Sequence, residues 1–188
     1  MKRIVNTAER ILLVGGNIWY FGEGMLGPLF AVFAEDIGGD VFDIAWAWAT
    51  YLIVTGMLMI IFGKLWDRTQ NKAQLMVAGY ALNALCTFGY LLVQSPTHLL
   101  IVQAGLGIAA AMATPTWDAL YDKHGSANRM GMLWGISEGT AQIITGIGVI
   151  VGGIIVSIFS FPVLFWSMGS VQVVATLYQA QSLRKQNR

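Results

Sequence analysis

All eleven lysines and arginines of this 188-residue chain fall into four short clusters, Lys2 to Arg10, Lys64 to Lys72, Lys123 to Arg129 and Arg184 to Arg188. The three intervals between them, 11–63, 73–122 and 130–183, are 50 to 54 residues long and contain no basic residue. A helix needs about 20 apolar residues to cross the hydrocarbon of a bilayer, and lysine and arginine mark the cytoplasmic side. Each interval therefore reads as one excursion out and back. Six spans result, with the N and C termini in the cytoplasm.

Composition agrees: 56% of residues are hydrophobic, 11% are charged and the mean hydropathy is +0.62. A soluble domain of this size does not look like this. The expected setting is the lipid bilayer, in a prokaryotic cytoplasmic membrane. Glu35, Asp36, Asp40 and Asp43 gather in the first outer loop. The basic clusters are short and mixed with acids, unlike a phosphate-binding stripe, so no nucleic-acid partner is expected. Cys86 is the single cysteine, which excludes an internal disulfide. The first apolar run is longer than a signal-peptide core and is expected to be retained.

The fold expected is all-α, a polytopic six-helix membrane bundle forming one domain over 1–188. The apolar runs lack the alternation of a membrane barrel, which leaves helices to satisfy the backbone in lipid. Spans are predicted at about 11–33, 43–62, 73–93, 98–121, 130–156 and 161–182. Gly38-Gly39, Ser95-Pro96 and Ser160 to Pro162 supply the outer turns. Trp46 and Trp48 fall near the outer face, and Trp66, Trp117 and Trp134 near the inner, as two aromatic belts would. Trp19 and Trp166 fit core packing. Span five carries Gly131, Gly135, Gly139, Gly146, Gly148, Gly152 and Gly153. Spacing of four puts the first three on one face, where small residues admit another helix closely, either within the bundle or on a second subunit.

Two acids stand deep in the spans without basic partners. Glu23 lies about 18 Å from the inner end of span one, with Gly16, Trp19, Tyr20 and Gly27 on its side. Glu138 lies about 12 Å into span five, in a row with Trp134, Gln142 and Thr145. A carboxylate at such depth must be protonated, hydrogen-bonded, hydrated or balanced by a cation. Intramembrane acids are functional by default, so Glu23 and Glu138, with Tyr20, Trp19, Asn17, Gln142 and Gln103, are the expected solute and proton pathway. Asp118, about one turn from the inner end of span four, either joins that lining or pairs with Arg129. The absence of lysine and arginine from the spans disfavours a strongly anionic solute.

The chain reads Gly63-Lys64-Leu65-Trp66-Asp67-Arg68-Thr69-Gln70-Asn71-Lys72 after span two. This resembles the Gly-x-Leu-Ala-Asp-Arg-x-Gly-Arg-Lys signature of the major facilitator superfamily, matched at Gly63, Leu65, Asp67, Arg68 and Lys72. Trp66, Gln70 and Asn71 replace its other residues. Gly105 to Ala110 resembles the small-residue run of the family's fourth helix, and Gly148 to Gly153 the glycine motif of its fifth. The resemblance covers the chain as one half of a twelve-helix transporter. It implies a half-size secondary transporter working by alternating access, which must pair with a second copy, as a parallel homodimer, or with a separate partner half. By the same resemblance the glycine face of span five, Gly131, Gly135, Gly139, Gly148 and Gly152, forms the interface. Asp67 would latch onto the start of the partner's span five, around Ser126 to Gly131, with Gly63, Arg68, Lys72 and Arg129 completing the gate.

No helical histidine pair, phosphate-cradling loop or credible nucleophile occurs, so neither enzyme action nor a cofactor or metal is expected. The solute expected is small and cationic, zwitterionic or neutral, with protons as coupling partner in a symporter or antiporter. Two alternatives stand beside this: a transport-inactive assembly or regulatory subunit, and the N-terminal half of a cut twelve-helix protein.

Overall fold

The computed structural model describes residues 6–125 and 127–183, and the side chains of Lys64, Leu65, Asp67 and Ala127 also lie outside that description. Among the described residues no strand occurs. The helices are α1 (Thr7–Leu26), α2 (Leu29–Asp36), α3 (Val41–Arg68), α4 (Lys72–Gly89), α5 (Pro96–His124), α6 (Met130–Ile158) and α7 (Phe161–Gln179). Three of their starts, those of α1, α3 and α5, are written in side chains. The Asn6 amide oxygen accepts from the N–H groups of Ala8 and Glu9, and Glu9 returns a bond to the Asn6 N–H, a complete capping box. Asp40 and Asp43 repeat the device for α3, and Ser95 followed by Pro96 opens α5.

Five helices, α3 to α7, are long and apolar enough to cross a membrane. The expected first span is not one of them: α1 has 20 residues, but Glu9, Arg10, Asn17 and Glu23 make it less apolar than the others, and the run then breaks in two. Gly27 takes φ +22° and ψ −118° and Pro28 follows, so α1 stops at Leu26 and α2 starts at Leu29. Proline has no N–H to continue the ladder, and glycine tolerates the positive φ that the break requires.

The helices pack side by side in the order α3, α5, α4, α7, α1, α6. This arc stays open, with α3 and α6 as its two ends and a cleft between them. Two apolar cores hold it together. One gathers Met25, Phe30, Phe33, Tyr90, Leu99 and Phe165, with Phe33 and Phe165 edge to face at 4.7 Å. The other gathers Leu12, Met76, Tyr80, Leu120, Tyr121 and Leu133. The second core lies at the end of the bundle that carries the described basic residues, where Asn6 bonds the His124 carbonyl and Gln179 the Leu12 carbonyl. Polar side chains concentrate between the cores.

The closest seam joins α1 to α6. A Cβ on Gly24 would stand 2.5 Å from the Thr145 carbonyl oxygen, and one on Gly148 2.5 Å from that of Phe21. One on Gly152 would overlap the Met25 carbonyl. These glycines let the two backbones touch. Gly131, Gly135 and Gly139 meet nothing within 4 Å among the described residues.

Candidate functional site

The cleft between α3 and α6 widens at mid-bundle into a cavity of about 390 Å³. That volume suits a small organic molecule. Helix α1 contributes Tyr20 and Glu23, α2 contributes Phe30, and α3 contributes Trp48 and Tyr51. Gln103 comes from α5 and Tyr90 from the turn before it, while α6 brings Glu138, Gln142 and Thr145. No lysine, arginine or histidine lines it. Two carboxyls thus face an aromatic wall with no cation of the protein's own.

The position of Glu23 follows from α1 packing on α4 and α7 through their polar residues. Its Oε1 accepts three hydrogen bonds, from Trp19 Nε1 at 3.1 Å, Asn83 Nδ2 at 3.0 Å and Gln172 Nε2 at 3.3 Å. Trp19 stands one turn earlier on the same face of α1, and its ring is fixed edge to face against Tyr80 at 4.5 Å. The carboxyl is deep in the bundle, yet the residue keeps exposed surface, and that surface opens on the cavity. Glu138 is exposed to the cavity from the other side, with no hydrogen-bond partner among the described residues. Gln103 donates to the Tyr90 hydroxyl at 3.2 Å, which orients both in the wall.

Of the pathway residues expected from sequence, Glu23, Glu138, Tyr20, Gln142 and Gln103 come together in this cavity. Trp19 and Asp118 line a neighbouring space of about 20 Å³ with Gly16, Tyr80, Thr114 and Trp117. Room for about one water remains there. Tyr20 borders both spaces and so stands between Asp118 and Glu23. Asn17 points elsewhere: it bonds Thr140 Oγ1 at 3.2 Å and edges an apolar groove with Phe21, Ile144 and Val171.

The loop residues expected to form a gate are less connected. Arg68 and Arg129 are exposed, Gly63 has open space around it, and Lys72 borders a small pocket with Thr69, Leu120 and Lys123. The side chain of Asp67 and the whole of Ser126 lie outside the described residues. Asp122 accepts a bond from Trp134 Nε1 at 3.0 Å, which ties α5 to α6.

Sequence reasoning missed Asn83, Gln172, Tyr51, Tyr90 and Trp48. Asn83 and Gln172 did leave a signal, since each is a lone amide in the middle of an apolar span. Polar side chains at that depth need partners, and Glu23 is the group there that takes several donors.

The described residues thus form an arc of membrane-length helices around an acid-bearing cavity, open on one side. The comparisons place it in a family. The model of the Major Facilitator Superfamily matches residues 12–184, and the chain belongs to that superfamily. It is an integral membrane protein of a transporter family. An uncharacterized MFS-type transporter of Methanocaldococcus jannaschii is 24% identical over 86% of this chain and 42% of its own length. The uncharacterized MFS-type transporter YvkA of Bacillus subtilis is 25% identical over 82% of this chain and 35% of its own. Multidrug resistance protein MdtG of Salmonella typhimurium is 24% identical over 93% of this chain and 44% of its own. The chain thus spans less than half the length of these relatives.

Proposed function

We propose that this chain is a half-size secondary transporter for a small organic cation, coupled to protons through Glu23 and Glu138, with the access of its central cavity alternating between the two sides of the membrane. The observation that carries the reading is the cavity itself: two carboxyls, five aromatic rings and no basic residue. Such a lining attracts positive charge, and rings offer their faces to it. The rings also suit a solute with apolar parts, and one relative carries the name multidrug resistance protein.

On this reading α1 and α2 together make the sixth crossing, with both termini cytoplasmic. The cleft between α3 and α6 needs a second wall, and a parallel second copy supplies it. The open glycine stripe Gly131, Gly135 and Gly139 beside Glu138 and Gln142 would meet that wall, with Asp67 latching the cytoplasmic side. The share of the relatives that is matched favours a second version, in which the wall is the other half of a longer protein.

The test is reconstitution of the purified chain in liposomes, with its oligomeric state determined and proton flux followed on addition of organic cations. The unaltered chain is expected to couple cation movement to proton flux, and Glu23→Gln to abolish the coupling while the fold persists. Equal flux in both proteins overturns the role of Glu23. A monomer without flux under any cation overturns the homodimer reading.

A further inference from the structure

Three amide and indole donors converge on one oxygen of Glu23, and the other oxygen receives none among the described residues. They come from three helices: Trp19 on α1, Asn83 on α4 and Gln172 on α7. Asn83 is 3% exposed and Gln172 1%, so this is a built interior feature. Each donor is itself held. Thr87 Oγ1 lies 3.4 Å from the Asn83 amide oxygen as a donor, Tyr80 braces the Trp19 ring, and Gln172 Nε2 also donates to the Trp19 backbone carbonyl at 3.2 Å. Gly22 leaves the room that Gln172 occupies, since a Cβ there would stand 2.7 Å from Nε2.

A second observation points the same way. Gln172 Oε1 is buried with no hydrogen-bond partner. A buried carbonyl without a partner is costly and needs a reason. Here the amide is oriented by what its nitrogen gives to Glu23 and to the Trp19 carbonyl, at the expense of its own acceptor.

A carboxylate has lone pairs for about four donors, and a guanidinium claims both oxygens at once through its fork. With three donors on Oε1, the fork has no place to close, whereas an ammonium needs one oxygen only. We infer that Asn83, Gln172 and Trp19 are positioning residues that commit Oε1 of Glu23 to the protein and leave Oε2 as a single-point site, so that the cavity selects ammonium cations over guanidinium ones. The inference rests on the cation-transport reading above and adds a specificity rule to it. Tyr20, Tyr51, Tyr90 and Glu138 line the same cavity as Glu23.

The test is calorimetric binding to the purified full chain of two probes, a phenylalkylammonium and the phenylalkylguanidinium of equal chain length. The unaltered chain is expected to bind the ammonium more tightly. Gln172→Leu combined with Trp19→Phe leaves Asn83 alone on Oε1 and one of its two lone pairs free, and should lower the ammonium-to-guanidinium affinity ratio by about tenfold, the size expected of one hydrogen bond to a charged group. Trp19→Phe alone keeps Asn83 and Gln172 on both lone pairs and should leave the ratio nearly unchanged, which makes it the control. A ratio unmoved in the combined change, or in Asn83→Leu with Trp19→Phe where the first pair does not fold, overturns the cradle while leaving cation binding in place. If the unaltered chain binds neither probe, the transport reading fails and the cradle with it.

Discussion

On one face of α6, Gly148 and Gly152 lie against the carbonyls of Phe21 and Met25, whereas Gly131, Gly135 and Gly139 have no heavy atom within 4 Å of where a Cβ would stand. The two sets belong to one helix and one residue type. At about 100° per residue, the nine steps from Gly139 to Gly148 place them on opposite sides. Glycine in a helix interior costs about 1 kcal/mol relative to alanine, so each set needs a return. The first has it within the chain, in backbone contact with α1. The second has none among the described residues, and it runs beside Glu138 and Gln142 along the cavity mouth. A stripe of small residues next to the site, left open, fits a surface that a second half covers.

The largest effect should fall on the packed face. Gly152→Leu drives a side chain into the Met25 carbonyl, backbone that cannot step aside. Overpacking of this kind costs about 3 kcal/mol. A much lower thermal midpoint and loss of folded protein in detergent are expected. If Gly152→Leu were as stable as the unaltered chain, the α1–α6 seam would be misplaced and the comparison would collapse.

Gly135→Leu is the matching change on the open face, and its expected sign is different. With open space around it, the substitution should leave the bundle unchanged or raise its stability by up to about 1 kcal/mol through helix propensity. Pairing should nevertheless fail, because a leucine holds the second wall away. Crosslinking and flux measured on the same preparation decide the matter: a more stable protein that no longer pairs or transports sharpens the contrast, and full transport dissolves it.

Much of this could be read from the chain. The described basic residues, Arg10, Arg68, Lys72, Lys123 and Arg129, lie at the helix ends and turns where their exclusion from the apolar spans put them, whereas Arg184 to Arg188 lie outside the described residues. Glu23 and Glu138 were legible as isolated acids, and they do meet at one cavity. What the sequence hid was three-dimensional. Gly27 and Pro28 stood inside one apolar run, 11–33, and whether such a pair bends or breaks a helix depends on whether neighbours replace the lost hydrogen bonds. The glycines of α6 were read as one interface because spacing gives the face of a residue and not its neighbour. Asn83 and Gln172 come within reach of Glu23 only when α4 and α7 are set beside α1, an order of helices that no periodicity encodes.

The smallest effect concerns the edge between the two faces. Asn17 and Thr140 join α1 to α6 through a bond of 3.2 Å, away from the cavity and beside an apolar groove. Interhelical hydrogen bonds in membranes are worth about 0.6 kcal/mol on average, since an unfolded chain in lipid also finds partners. Thr140 keeps its bond to the Ile136 carbonyl at 2.8 Å whether or not Asn17 is present. Asn17→Leu should therefore lower stability by about that amount, read from denaturation in detergent, and leave cation affinity unchanged. A loss of cation binding at unaltered stability would place Asn17 on the pathway, as its polarity alone suggested, and would mean that α1 turns a different side to the cavity from the one on which Trp19 and Glu23 stand.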